Sequence, residues 1–228
     1  LGGSTIYENN ETNKIDNKIS SEWLKKEIEE LKNIKNLEIK TRTSVAAYHQ
    51  YNYLLARENL TDHLEKKDKT NKIRQRLLKI RAKKVILATG ALERPMVFNN
   101  NDRPGIMLSS AIKKYSDFYG VACGRKIVFF TNNDSAYESA LSLNDKGIKV
   151  EAVVDIRKQS ETNLEKRVID AGIKIYWEHT VVDTSGYKRL NNVSIMKLSN
   201  DGTSVTGNKI SISCDCLGVA GGWTPAVH

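Results

Sequence analysis

The stretch "GRKIVFFTNNDSAYESALSLNDKGIKVEAVVDIR", residues 124–157, decides the fold. An apolar strand at residues 127–130 leads into a turn, a helical pattern follows, and a second apolar strand at 150–154 ends in Asp155. Strand, helix and strand in this order are typical of the βαβ unit on which dinucleotides bind. The stretch therefore predicts an α/β fold built on a parallel sheet.

The phosphate-binding glycines of such a unit are missing. Where G-x-G-x-x-G/A would lie, residues 131–136 read Thr-Asn-Asn-Asp-Ser-Ala, and only Ala136 keeps the small-residue role. Asn132 and Asn133 put side chains into the phosphate position, and Asp134 puts a negative charge at the helix N-terminus, where we expect it to act as the cap. Two interpretations are open, a cofactor loop with altered chemistry and a loop kept only for its fold. The residues favour the second.

The sequence contains no catalytic constellation and no metal-ligand spacing. The four histidines, His49, His63, His179 and His228, are scattered, and neither a P-loop nor a G-x-S-x-G motif occurs. Asp155 follows the glycine position by about 20 residues, where a ribose-binding acid usually lies. A strand-end acid alone cannot position a nucleotide, so we interpret Asp155 as a remnant.

Charge and hydropathy exclude some classes of function. The chain of 228 residues is long enough for one or two domains, and it carries a net charge of +9. Its lysines alternate with acids, as in "EWLKKEIEELKNIKNLEIK" at residues 22–40, so we predict a solvated surface and no nucleic-acid site; an acidic partner subunit stays open. No signal-peptide pattern and no apolar run of 18 residues occur, so we predict no membrane span.

The three cysteines are interpreted as free thiols. Cys214 and Cys216 form a C-x-C pattern in a strand-like segment, which places both side chains on one predicted face, and Cys123 is distant in sequence. No fourth ligand lies nearby, so a zinc site is not predicted. Free thiols are typical of a reducing cytoplasm, and we expect a cytoplasmic protein.

Two apolar strands end in glycine turns. Residues 85–88 run into Thr89 and Gly90, and "LGVAGG" ends at Gly221 and Gly222. Such turns let backbone approach a flat cofactor closely, although an ordinary strand-to-loop turn would look the same.

The order of strand, glycine turn, insert, strand and glycine turn predicts two lobes. We expect a first, incomplete dinucleotide-binding domain from residues 1–108 together with the returning segment 207–228. A second βαβ domain with the altered loop is expected at 109–206. This division requires the two glycine-ended strands to share one sheet.

Several segments together resemble the alpha subunit of heterotetrameric sarcosine oxidase. They are "LGGS", "RAKKVILATGALERPMVF", "NDRPGIMLSSA", "FFTNNDSAYESAL" and "CDCLGVAGGWTPAVH", and they cover nearly the whole chain. The resemblance implies a Rossmann-like reductase fold with two dinucleotide-binding domains, of which the first binds NAD and the second has this altered loop. It also implies an internal fragment, truncated at both ends. The family's first strand and glycine loop would precede Leu1, and its folate-binding region would follow His228.

The resemblance further implies activity, cofactors and partners. The family oxidises sarcosine to glycine, passes the one-carbon unit to tetrahydrofolate and forms hydrogen peroxide. NAD lies in alpha, FMN lies between alpha and beta, FAD lies in beta, and the complex has beta, gamma and delta subunits. The chain alone is then expected to be inactive and to bind NAD weakly or not at all. Its candidate cofactor-lining residues are Gly2, Gly3, Ala88, Thr89, Gly90, Gly221 and Gly222. Two alternatives stay open: a related amine or opine dehydrogenase or hydrogen cyanide synthase subunit, and a non-catalytic assembly module.

Overall fold

A computed structural model describes residues 2–6, 14–65 and 72–227. The chain divides into two compact units. The first runs to Thr89 and the second from Gly90 to Ala226.

The first unit contains a helix and small antiparallel sheets. Its elements are a 3₁₀ helix at Gly3–Ile6, β1 at Lys14–Ile15, β2 at Lys18–Ile19, α1 at Ser20–Lys32, β3 at Thr43–His49, β4 at Tyr53–Asn59 and β5 at Gln75–Arg81. Strands β1 and β2 pair with each other, and β3, β4 and β5 form a meander. The tight turn between β3 and β4 places Tyr51 and Asn52 at positive φ.

The second unit is built on a parallel sheet. Its elements are β6 at Ala91–Glu93, β7 at Ile106–Leu108, α2 at Ser109–Tyr119, β8 at Lys126–Thr131, α3 at Ser135–Asn144, β9 at Lys149–Asp155, α4 at Asn163–Asp170, β10 at Lys174–Trp177, β11 at His179–Ser185, β12 at Asn192–Leu198, β13 at Val205–Ser213, β14 at Cys216–Ala220 and β15 at Trp223–Pro225. Five strands pair in parallel in the order β10-β9-β8-β14-β7. The predicted βαβ unit is confirmed as β8, α3 and β9.

Strand β8 is buried on both faces because two cores meet there. Ile127 and Phe129 pack into one core with helices α2, α3 and α4, whereas Val128 and Phe130 pack into another beneath the meander β11-β12-β13. All four side chains are at most 1% exposed. A continuously apolar strand is the expected pattern where a parallel sheet is covered on both sides. Burying each such side chain contributes about 1.5–3 kcal/mol.

Gly218 in β14 is required by close packing, which gives a first prediction. A Cβ at this position would lie 2.5 Å from the ring of Phe129 and 3.0 Å from Cδ1 of Ile112. We expect Gly218→Ala to lower the free energy of unfolding by about 1–3 kcal/mol through overpacking. Denaturant titration of Gly218→Ala, Phe129→Leu and the double variant provides the measurement. Because leucine leaves room for the methyl group, the double variant should recover part of the loss; simple additivity would contradict the steric account.

The predicted domain boundaries differ from these units. Residues 85–88 form no strand, and Ile86 is 90% exposed. The other glycine-ended segment is β14, which pairs with β8 and β7 in the second unit, where Leu217 is fully buried. The two segments therefore do not share a sheet. A strand needs a partner strand for its backbone hydrogen bonds; β14 pairs with β8 and β7, whereas residues 85–88 pair with no strand among the described residues.

The prediction that Cys214 and Cys216 lie on one face of a strand was also wrong. Cys214 packs into the core beneath the meander and Cys216 into the core beneath the helices. The chain is irregular at Cys214, so strand alternation does not apply there. Burial raises the pKa of each of these two thiols to about 12.

Candidate functional site

The candidate site lies at the carboxyl edge of the five-stranded sheet. The strand order proceeds from β8 to β9 and β10 on one side, while β14 and β7 lie on the other. Ligands of such sheets bind where the order reverses, here between β8 and β14. The loops that follow these strands contact each other directly. Asn132 N donates to Ala220 O at 3.3 Å, and Asn133 Nδ2 donates to the same oxygen at 3.0 Å.

Asn133 occupies the position at which a phosphate would meet the helix. Its Oδ1 accepts hydrogen bonds from Ser135 N at 3.1 Å and from Ser135 Oγ at 2.6 Å. Its own backbone N–H donates to Thr131 Oγ1 at 3.0 Å. Asp134, the predicted cap, lies at the N-cap position but makes no capping hydrogen bond. The Asn133 side chain therefore caps α3, and two of the loop's backbone donors are already satisfied.

Asp134 instead belongs to a charged network with the end of β9. Arg157 Nη2 lies 2.8 Å from Asp134 Oδ1 and 2.8 Å from Asp155 Oδ2. Asp155 is 1% exposed and also accepts from Arg157 N and from the Tyr137 hydroxyl, each at 2.8 Å. The hydrogen bond to Asp155 raises the pKa of Arg157, and burial followed by the Asp155 charge raises that of Tyr137.

This network does not fit a dinucleotide. A pyrophosphate needs free backbone N–H groups at the helix N-terminus, and a ribose needs a free carboxylate at the end of the second strand. Here Asn133 takes the N–H of Ser135, and Asp155 is bound to Arg157 and Tyr137. The loop is filled by the chain's own side chains, as the second interpretation of the sequence predicts.

Two of the predicted cofactor-lining glycines, Gly2 and Gly3, belong to the first unit, and their surroundings differ from each other. Gly2 has φ of +102°, a conformation that favours glycine, and a Cβ there would also meet the end of the Leu24 side chain of α1, so local structure explains this glycine. Gly3 has φ of +55° and nothing within 4 Å of its Cβ position. Ala88 and Thr89 lie outside regular structure.

Three of the predicted cofactor-lining glycines, Gly90, Gly221 and Gly222, belong to the second unit and lie along the ribbon formed by β6 and β15. Gly90 O accepts from Ala226 N at 2.9 Å at one end, and Gly222 O accepts from Arg94 N at 2.8 Å at the other. Gly90 and Arg94, at the two ends, are four positions apart in sequence, which is about 13 Å along an extended strand. Gly221 N donates to Arg94 O at 2.7 Å. The structure therefore brings Gly221 and Gly222 to the carboxyl edge beside β8 but does not bring Gly90 to the same point.

The motif "DRPGIM" at residues 102–107 has a structural role. The Arg103 guanidinium donates to Gly186 O and, at 3.4 Å, to Thr184 Oγ1. Pro104 O accepts from Leu190 N at 2.8 Å. These contacts fasten the segment before β7 to β11 and to the turn that follows it.

Sequence reasoning missed two buried polar side chains at the start of α2. Glu93 is 7% exposed, and its Oε2 accepts from Ser110 N at 2.8 Å. Its Oε1 and the hydroxyl of Ser109, which is 1% exposed, have no hydrogen-bond partner among the described residues. Burial raises the pKa of Glu93. The hydrogen bond between Glu93 and Ser110, which are 17 residues apart, reveals these side chains, since no local sequence pattern marks them as buried.

The raised pKa of Glu93 predicts a pH-dependent stability. Burial disfavours the ionised form, so the stability present below the ordinary carboxyl pKa, about 4.3, is lost as pH rises through the raised folded value. We expect Glu93→Gln to raise the free energy of unfolding by about 1 kcal/mol at pH 7, with no difference at pH 4.

Thermal unfolding at the two pH values tests this expectation. The matched control is Glu138→Gln, which removes an exposed acid from the first turn of α3 and should not stabilise at either pH. Equal stabilisation by Glu93→Gln at pH 4 and pH 7 would show that burial of the charge is not the cause.

Within residues 2–6, 14–65 and 72–227, no group of three or more His, Cys, Asp or Glu side chains could hold a metal ion. No helix in the same part of the chain is long and apolar enough to cross a bilayer. His228 lies outside the described residues.

The fold is similar to that of solved oxidoreductases. A thioredoxin reductase from T. acidophilum superposes with a TM-score of 0.67 at 16% identity, covering 99% of this chain and 67% of that one. An L-proline dehydrogenase from P. horikoshii superposes with a TM-score of 0.60 at 21% identity, covering 100% of this chain and 36% of that one. These similarities establish a Rossmann-like α/β fold of the reductase type.

Sequence comparison identifies the relatives more narrowly. The chain is 37% identical to the sarcosine oxidase alpha subunit of Corynebacterium sp. strain P-1 over 94% of its length, and 33% identical to that of Rhizobium meliloti strain 1021 over its whole length. It spans 22% and 21% of these relatives. No family model matches the chain. The chain is homologous to one region of the sarcosine oxidase alpha subunit, which confirms the resemblance seen in the motifs.

Proposed function

We propose that this chain is a region of the NAD-binding alpha subunit of a sarcosine oxidase. The complete enzyme would oxidatively demethylate sarcosine to glycine, transfer the one-carbon unit to tetrahydrofolate and form hydrogen peroxide. The identity of 37% over 94% of the chain supports the proposal, as does a fold used by oxidoreductases with nucleotide cofactors.

Within that enzyme the chain would position cofactors and partners and carry no acid–base chemistry. The observation that carries this role is the network of Asp134, Arg157, Asp155 and Tyr137, which uses the second unit's own side chains in place of a dinucleotide. Cofactors supply the electron chemistry in such enzymes, and the protein supplies position and electrostatics. The second unit then serves as a scaffold, and its filled loop would approach the FMN-bearing interface with a beta subunit.

We propose that NAD binds the first nucleotide-binding half, which is the first domain predicted from the sequence, residues 1–108 with 207–228. That domain division is kept here as part of the proposal about cofactor binding. Candidate contacts are Gly2, Gly3, Ala88 and Thr89 in the first unit and Gly90, Gly221 and Gly222 in the second. The open Cβ positions of Gly3, Gly90 and Gly222 would allow close approach of a ligand to backbone. FMN at the beta interface, FAD in beta, tetrahydrofolate on the C-terminal region and partner beta, gamma and delta subunits complete the proposal.

Two other functions compete with this one. A related amine or opine dehydrogenase or hydrogen cyanide synthase subunit could share the fold, and a non-catalytic assembly module could share the filled loop. The specific similarity to sarcosine oxidase alpha subunits favours the enzyme component over both.

Assays of the native protein that contains this chain, purified with its partners, test the proposal. We expect sarcosine-dependent formation of peroxide and glycine, bound NAD and flavin, and tetrahydrofolate-dependent capture of the one-carbon unit. Amine oxidation without peroxide would favour a dehydrogenase. A purified complex without amine-dependent electron transfer would favour an assembly module.

A further inference from the structure

The turn that connects β11 to β12 presents an exposed tyrosine at its tip. Tyr187 is 94% exposed, and the two residues that follow it, Lys188 and Arg189, are exposed as well. A single exposed apolar residue is normal on a protein surface, so the setting of Tyr187 decides what it does.

The backbone of this turn is fixed to the second unit. Leu190, the residue after the exposed stretch, is 1% exposed, and its N–H donates to Pro104 O at 2.8 Å. Across the base of the turn, Asn191 N donates to Ser185 O at 2.9 Å. Tyr187 is therefore held in place before any partner binds, and this lowers the entropy that binding would cost.

The start of β8 adds two exposed cations beside this turn. Arg189 Nη2 donates to Asp215 O at 3.1 Å. The carboxylate of the same aspartate accepts from the backbone N–H groups of Arg125 and Lys126, each at 2.8 Å from Oδ1. The side chains of both residues are exposed. The exposed side chains of the turn and of this strand end together form what we call the basic surface: Arg125, Lys126, Tyr187, Lys188 and Arg189.

The charges of the basic surface are not neutralised by ion pairs. Among the residues that the structure describes, Arg125, Lys126 and Lys188 form no ion pair. The neighbouring strand differs, because Lys149, which is in register with Lys126, pairs with Glu151 at 2.8 Å. The positive charge therefore ends at β9. A surface this small does not provide the long basic groove that follows a nucleic-acid backbone, but it matches a compact acidic surface.

We propose that the basic surface docks an acidic segment of a partner protein. Tyr187 inserts into an apolar recess of that partner, and the surrounding cations pair with its carboxylates. Tyrosine and arginine are enriched among the residues that contribute most to binding at protein interfaces, and charges around them set the rate and specificity of docking. The basic surface lies at the start of β8, about 17 Å along the strand from the candidate site at its end. The inference is independent of the substrate and cofactors proposed above.

Photo-cross-linking identifies the partner segment. The cross-linking residue p-benzoylphenylalanine replaces Tyr187 in the native protein, the producing cells are irradiated, and mass spectrometry sequences the attached peptide. We expect one segment of another protein, in which Asp and Glu outnumber Lys and Arg. The same cross-linker at Tyr51, which is 82% exposed in the turn between β3 and β4, should not capture that segment. The proposal is overturned by the absence of a cross-link at residue 187, or by a cross-link to nucleic acid, to a second copy of this chain or to a segment without excess acid.

A synthetic copy of the cross-linked peptide is then the probe in fluorescence-anisotropy titrations of the native protein. Tyr187→Ala should weaken its binding by about tenfold or more, whereas Tyr51→Ala should leave it unchanged. Lys188→Glu should weaken binding by about tenfold at low salt, and Lys158→Glu, the same charge reversal beyond the opposite end of the sheet, by less than about twofold. Equal binding by all four variants, or an affinity that does not fall between about 50 and 500 mM salt, would also refute the proposal.

Discussion

Replacing Arg157 by alanine is expected to lower the free energy of unfolding by about 2–3 kcal/mol, because its side chain, although 37% exposed, is paired with the buried carboxylate of Asp155. Asp155 is 1% exposed, and Arg157 is its charged partner through Nε and Nη2. Without the guanidinium, a buried carboxylate keeps only the hydrogen bonds from Tyr137 and from the backbone of residue 157. Breaking a buried ion pair from one side costs more than the pair contributes, because the remaining charge is uncompensated.

The loss in free energy of unfolding is measured by chemical denaturation of the native protein, monitored with a probe placed in the second unit. Arg157→Lys keeps the charge but not the fork that contacts Asp155 through two nitrogens, so an intermediate loss is expected. Lys158→Ala removes the adjacent exposed cation and should change the free energy of unfolding by less than about 0.5 kcal/mol. A loss below about 1 kcal/mol for Arg157→Ala would mean that the network does not hold the loop together.

The second large effect is expected for Gly221→Ala. A Cβ at residue 221 would lie 2.8 Å from Arg94 O, 2.9 Å from Pro95 O and 2.9 Å from Met96 Cγ. Two of these atoms belong to the backbone and cannot rotate away, so the junction between β14 and the β6–β15 ribbon must open. We expect a loss of about 2–3 kcal/mol.

Gly222→Ala is the matched control for this prediction. Gly222 has φ of +94° but nothing within 4 Å of its Cβ position, so only backbone strain of about 1 kcal/mol is expected. Thermal unfolding of the two variants separates the two causes. Because Gly221 does not have a positive φ, equal losses would show that the close contacts at residue 221 cost no more than the backbone strain at residue 222. The same comparison distinguishes the two glycines as candidate cofactor contacts. Packing explains the glycine at residue 221, whereas the space beside Gly222 would allow a ligand to approach its backbone closely.

The βαβ unit could be predicted from sequence because its signals are local. The apolar runs of β8 and β9 and the polar turn between them are each contained within a few residues, and the missing glycines indicated the missing phosphate site. The role of Asp134 could not be predicted, because its partner Arg157 lies 23 residues further along the chain, just after the end of β9. Asn133 took the capping role instead, since its amide can both accept from Ser135 and donate to Ala220.

Longer-range assignments failed for a similar reason. Residues 85–88 and β14 have nearly the same local pattern, an apolar run followed by a glycine turn, so sequence alone treated them as strands of one sheet. Which of them is a strand depends on neighbours, and β14 has β7 and β8 on its two sides. Glu93 was missed because its hydrogen-bond partner, Ser110, lies 17 residues away, and nothing local distinguishes it from a surface acid.

The central claim is that residues 131–135 form a filled loop and not a working dinucleotide site. The most direct test is the dissociation constant for NAD of the native protein, compared with that of the double variant Asn133→Gly, Asp134→Gly, after circular dichroism has shown that both are folded. If the loop holds no pyrophosphate, the constant should change by less than about twofold. A loss of tenfold or more in NAD affinity, with folding intact, would show that these side chains serve a bound dinucleotide and would contradict the account.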